Sequence, residues 1–152
     1  MPKSSFRGSP SPTFDATTSA LNGLPNVLYG LMMRCLSFVD LWSANWQGSQ
    51  QRQSLRMVEW LVTYVPAVDR EVACVAVQMW RHTLMHTAQP RRLRDDRIGR
   101  EYMCLLHWGG EVPAEQHLTI LPGNPANLQL ALLRLISDLQ SALGTFSADV
   151  RF

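Results

Sequence analysis

The residues best suited to chemistry are Arg81, His82 and His86, in the run Arg81-His82-Thr83-Leu84-Met85-His86. On a helix of 3.6 residues per turn, His82 and His86 fall about 40° apart on one face, with Arg81 about 100° from His82. One helix end then gathers two imidazoles and a guanidinium. An imidazole with an unperturbed pKa of about 6.5 gives and takes protons near neutral pH, and a permanently charged guanidinium holds a phosphate. RNA cleavage without a metal needs these groups: a base for the 2′-hydroxyl, an acid for the leaving 5′-oxygen, and a cation for charge on the non-bridging oxygens.

Directly after this run, Arg91, Arg92, Arg94, Arg97 and Arg100 stand against Asp95 and Asp96. Such a cluster can track an RNA backbone, with Trp80, Tyr102 or Trp108 available to stack on bases. The competing reading is a solvated loop whose charges pair internally. His86 likewise has a plain alternative, as a helix-terminal group that caps carbonyls and meets the negative end of the helix dipole. His82 and His86, four residues apart, can also chelate zinc with His107 or His117. However, Thr83 occupies the place where a zincin carries its Glu, and no carboxylate is nearby, so no metal is expected. His107 and His117 read as strand residues without chemistry. The chain contains no Gly-x4-Gly-Lys-Ser/Thr, no Gly-x-Gly-x2-Gly and no Gly-x-Ser-x-Gly. ATP, dinucleotide and hydrolase chemistry therefore lack support, and no cofactor is expected.

The elements that must position these groups follow from periodicity. Leu28, Leu31, Met32, Cys35, Phe38, Val39, Trp42 and Trp46 recur at three- and four-residue steps, predicting a long helix from Pro25 to near Gly48. Leu55, Val58, Leu61, Val62 and Val65 repeat the pattern until Pro66 stops it. A third helix begins at an Asp69 N-cap, carries Val72, Val75, Ala76, Met79 and Thr83, and ends before Pro90. The run from Tyr102 to Trp108, then Gly109-Gly110, then the alternation from Gln116 to Leu121 predicts a β-hairpin at about residues 102–121. Asn124-Pro125 reads as an N-cap and first-turn proline of a last helix with a stripe of Leu128, Leu132, Leu135, Ile136 and Leu139, closed by Gly144. The expected architecture is mostly α: a four-helix bundle-like domain over residues 21–147, with a hairpin inserted between the third and fourth helices. A flexible Ser/Pro-rich arm precedes it at residues 1–20.

A chain of 152 residues with 46% apolar composition can bury a core of its own. Fourteen basic against twelve acidic residues give +2, which excludes a histone-like polycation. Cys35, Cys74 and Cys104 are widely spaced and odd in number, which fits a reducing cytosol. The N-terminus lacks the apolar stretch of a secretory signal, and no window approaches 18 uninterrupted apolar residues, so a cytoplasmic protein with no membrane association is expected. The five tryptophans and seven methionines sit mostly on helical stripes, as core or subunit-interface material.

Written as Arg81, the polar His82, a segment with aliphatic Leu84 and Met85, then His86, the run resembles the Arg-x4-His signature of the HEPN-like domain superfamily. The resemblance implies a helical bundle that commonly dimerises, and a metal-independent endoribonuclease or RNA-binding protein. Arg81 and His86 become catalytic candidates, His82 a polar helper, and Arg91–Arg100 an RNA-attracting loop, in a homodimer whose two-fold axis brings two sets together. The rival expectation is a non-catalytic helical interaction or regulatory subunit that uses its aromatic and Met-rich stripes to bind a protein partner.

Overall fold

A computed structural model of the chain describes residues 16–66, 68–84 and 92–150. His86 and Arg91 lie outside the described residues, as do the first fifteen positions of the expected N-terminal arm. Three helices come first: α1 (Ala16–Gln47), α2 (Gln53–Tyr64) and α3 (Arg70–Met79), which runs on as a π-helical turn, Trp80–Leu84. Then come β1 (Leu93–Asp95), β2 (Arg100–His107), a single 3-10 turn (Ala114–Gln116), β3 (Thr119–Leu121) and β4 (Ala126–Ala131). The last element is α4 (Leu132–Asp149).

α2 and α3 form where apolar spacing and caps place them; α1 ends near Gly48 as expected but begins at Ala16, nine residues before Pro25, so residues 16–20 of the expected flexible arm are helical. Gly48, at φ 63°, takes the left-handed conformation that closes α1. The carboxylate of Asp69 accepts the Val72 N–H at 2.8 Å, which caps α3. Between α1 and α2, the buried Arg56 donates to Asp40 and to the carbonyl oxygens of Gln50 (2.6 Å) and Gln51 (3.1 Å), pinning the connection. An aromatic nest joins three helices: the fully buried Trp60 lies 5.4 Å from Trp42, 5.3 Å from Tyr64 and 5.9 Å from Phe146, between ring centroids.

The expected four-helix bundle with an inserted hairpin is overturned by a four-stranded mixed sheet in the order β1-β2-β4-β3. The segment 102–121 is not a hairpin. β2 instead pairs antiparallel with β1, through Leu93 opposite Tyr102, and parallel with β4, from Tyr102 opposite Ala126 to His107 opposite Ala131. β3 pairs antiparallel with β4 and not with β2. Gly109-Gly110 therefore ends a strand rather than turning a hairpin. There the Glu111 carboxylate accepts the N–H groups of Trp108 (2.7 Å) and Gly109 (3.1 Å); its own backbone N–H first, then those of Gly109 and Trp108, hold it below the usual carboxylate range. A Cβ on Gly109 would lie 3.0 Å from Leu133 Cδ1, so a side chain there would have to push the half-exposed Leu133 aside.

The last helix begins at Leu132, seven residues after Pro125, and continues beyond Gly144 to Asp149. Leu128, Leu130 and Leu132 satisfy a two-residue period as well as the four-residue step read as helical, and the strand period holds through Ala131. As a central strand, β4 buries Ala126, Leu128, Leu130 and Ala131 almost completely, as expected of a strand paired on both sides. The helices pack on this sheet: α1 against β2, and α3 against β1 and β4. Tyr102 and Cys104 join their core.

Candidate functional site

The π-helical turn that follows α3 carries the first two residues of the expected site, and both Arg81 and His82 are exposed. They diverge. Arg81 Nη1 reaches sideways to donate to Ser54 Oγ at 2.9 Å, on the first turn of α2. His82 instead lines an open cleft of about 460 Å³ between α3 and the β1–β2 loop. The structure thus brings His82 together with Arg94 and Arg97, which line the same cleft, and leaves Arg81 outside it.

Every described arginine of the Arg-rich loop has a carboxylate partner. Arg94 pairs with Asp96 at 3.0 Å, Arg97 with Asp95 at 3.2 Å, Arg92 with Glu101 at 3.4 Å and Arg100 with Glu71 at 2.9 Å. The Arg97 guanidinium beside Asp95 holds that carboxyl below its usual range. Glu71 also accepts the Tyr102 hydroxyl at 3.1 Å, and Arg100 stacks over the Tyr102 ring at 5.2 Å. Burial first, then the bond to Glu71, pushes the Tyr102 phenol up, so it stays a neutral donor. Arg81 differs: its partner is a neutral hydroxyl, and no carboxylate among the described residues pairs with it.

Cys74 also faces the cleft. Desolvation pushes its thiol above the ordinary range, against the lowering pull of Arg70 and Arg97, so it is not an activated nucleophile. Glu71, Cys74 and Gln78 on α3 and His82 on its π-helical continuation follow at steps of three and four residues, a half-polar stripe that apolar periodicity does not reveal.

The alternative zinc partners lie elsewhere. His117, before β3, is buried with both ring nitrogens used: Nδ1 accepts the Ala131 N–H at 3.0 Å and Nε2 faces Asp138 Oδ2 at 3.2 Å. Accepting at Nδ1 assigns the proton to Nε2, which makes this imidazole a clamp on the β4–α4 junction. His107 lies at the end of β2, with Nδ1 3.9 Å from Glu111. Among the described residues no group of three His, Cys, Asp or Glu side chains is placed to hold a metal ion.

A second recess, about 360 Å³, lies between α1 and α4. Leu31, Phe38 and Trp42 form one wall, and Ile136, Leu139 and Leu143 the other. No protein-family model, curated protein or solved structure matches the chain.

Proposed function

We propose that the protein binds RNA, with a backbone phosphate at Arg81 and neighbouring nucleotides across the His82 cleft. Charge compensation carries this reading: Arg81 is an exposed guanidinium with no carboxylate partner among the described residues, next to an accessible imidazole. A phosphate displaces only water and counterions at Arg81, whereas at Arg94 or Arg97 it competes with Asp96 or Asp95.

The finer form of the proposal is the HEPN-like endoribonuclease. In it His86 serves as general acid or base, Arg81 orients the phosphate, His82 positions the reacting groups, and a two-fold dimer supplies a second set. The test incubates wild type, Arg81→Ala and His86→Ala with mixed RNA in excess chelator, and measures binding of a labelled single strand by anisotropy. Loss of cleavage in both variants supports the nuclease, and equal degradation by all three proteins removes it. Unchanged affinity in Arg81→Ala removes the binding site.

The second reading is the non-catalytic interaction subunit. It is favoured by α1, whose Val27, Phe38 and Leu41 are 56%, 51% and 55% exposed. Absent RNA binding beside intact self-association is the result that selects it.

A further inference from the structure

The outer side of α1 carries a second stripe that faces away from the core. Val27, Leu31, Arg34, Phe38, Leu41 and Asn45 follow one another at steps of four, three, four, three and four residues, a sustained heptad seam. At 3.6 residues per turn they lie within a stripe about 80° wide. This stripe is separate from the core face of the same helix, where Leu28, Met32, Leu36 and Val39 are buried. Along one edge of the seam, Gly30, Ser37 and Ala44 repeat every seventh residue, and small side chains there let a second backbone come close. Along the other edge, Trp42 leads into the recess against Ile136 and Leu143 of α4.

We infer that this seam pairs, antiparallel, with the same seam of a second copy of the chain, about a two-fold axis lying between Arg34 and Phe38. The residues select that occupant. In this register Leu31 meets the partner's Leu41, Val27 meets the partner's Asn45, and Arg34 meets the partner's Phe38. The only charged side chain of the stripe then lies over an aromatic ring on both sides of the axis. A parallel pair would set Arg34 against the partner's Arg34, a like-charge contact at the centre. The span from Val27 to Asn45 is about 27 Å at 1.5 Å per residue, and with the flanking α4 wall the face is about 20 Å wide. The resulting footprint, roughly 540 Å² per copy, approaches the lower bound of specific interfaces and suits a micromolar dimer. Val27–Gln47 is also long and apolar enough to cross a membrane by length and composition, and only 28% of its most apolar window is buried. A lipid contact, however, would set Arg34 near the middle of the hydrocarbon-facing stripe. The proposal is independent of RNA binding.

Sedimentation velocity over about 1 to about 100 µM, the range an interface of this size sets, should show a monomer–dimer equilibrium. Phe38→Asp should raise the dissociation constant about tenfold or more, with an unchanged circular dichroism spectrum because its ring is half exposed; Leu41→Asp repeats the measurement at a second position. Register is read by oxidation in a background where Cys35 and Cys74 are serine; Cys104 stays, being buried with its thiol pushed up to about 12. There, Leu31→Cys with Leu41→Cys should form covalent dimers, and Leu31→Cys alone should not. A wild type that stays monomeric, dimers that persist in both Asp variants, or efficient crosslinking of the single Leu31→Cys variant would each overturn the proposal. So would a monomer that floats with phosphatidylcholine–phosphatidylglycerol vesicles.

Discussion

The corner between α1 and α2 and the turn after α3 both bring a guanidinium to the first turn of α2, with opposite outcomes. Arg56 is 4% exposed at its side chain and is surrounded by Asp40 and the carbonyl oxygens of Gln50 and Gln51, with only its Nε left without a partner. Arg81 stands in solvent on the hydroxyl of Ser54. Burying a cation demands partners, so Arg56 is committed to holding the helices together. An exposed cation on a neutral partner keeps its field. The β1–β2 loop lies between these cases, with exposed arginines whose charges are already answered. Around the cleft, the guanidinium open to an anion is therefore the one without a carboxylate beside an accessible imidazole, not the densest run of arginines; Arg34 and Arg52 also lack a carboxylate among the described residues but have no such neighbour.

The largest effect should come from Arg56→Ala. It leaves the partly buried Asp40 with only Gln53 Nε2 (2.8 Å) and frees two carbonyl oxygens, so the cost, read from chemical denaturation, should approach without reaching the about 3–5 kcal/mol of a fully buried pair. A midpoint near wild type would erase the contrast. Next, Arg81→Ala should leave stability near wild type yet weaken RNA binding. Because one phosphate contact is lost, the slope of log affinity against log salt should fall by about 0.7 for a single strand. An unchanged slope would mean that Arg81 is as idle as the loop arginines.

A smaller, pH-dependent effect belongs to the imidazole that clamps the β4–α4 junction. Desolvation lowers the pKa of His117 below its ordinary 6.5, with Asp138 opposing and Arg134 reinforcing that shift. Falling pH therefore protonates the unfolded chain first. The contribution of His117 is fully present above about 6.5 and is lost as pH falls towards the lower folded value. Denaturation at stepped pH should show this decline in wild type and a shallower one in His117→Gln. Smallest of all, Arg97→Ala should leave both the unfolding midpoint and the RNA affinity where they are, since its exposed pair with Asp95 adds little to either. A clear loss of affinity would move the anion site into the loop.

Local signals made the helical half legible. Pro66, Asp69 and Gly48 act within one turn of where they stand, and the apolar steps of α1 to α3 need no distant partner to be read. The sheet was hidden for the opposite reason. The pairing of β2 with β4 joins residues more than twenty positions apart, and nothing within either segment specifies it. Around Leu128, Leu130 and Leu132 both periods fit, and Asn124-Pro125 looks like a helix start on its own terms. In the site, the pairing of Asp95 and Asp96 with arginines two residues away was within local reach. The bond from Arg100 to Glu71 spans 29 residues and needed the fold. So did the divergence of Arg81 from His82: an ideal helix places them about 100° apart, but the π-helical turn and the position of Ser54 determine where each one points.

The strand order also has a consequence for synthesis. β4 occupies the middle of the sheet, yet it leaves the ribosome after both of its neighbours. The nascent chain can condense α1, α2 and α3 early, but β2 keeps one bare edge until residues 126–131 emerge and slide in beside it. Any pause or truncation ahead of Ala126 therefore leaves a sticky intermediate with an open template for foreign strands, the species that folding helpers would be expected to guard.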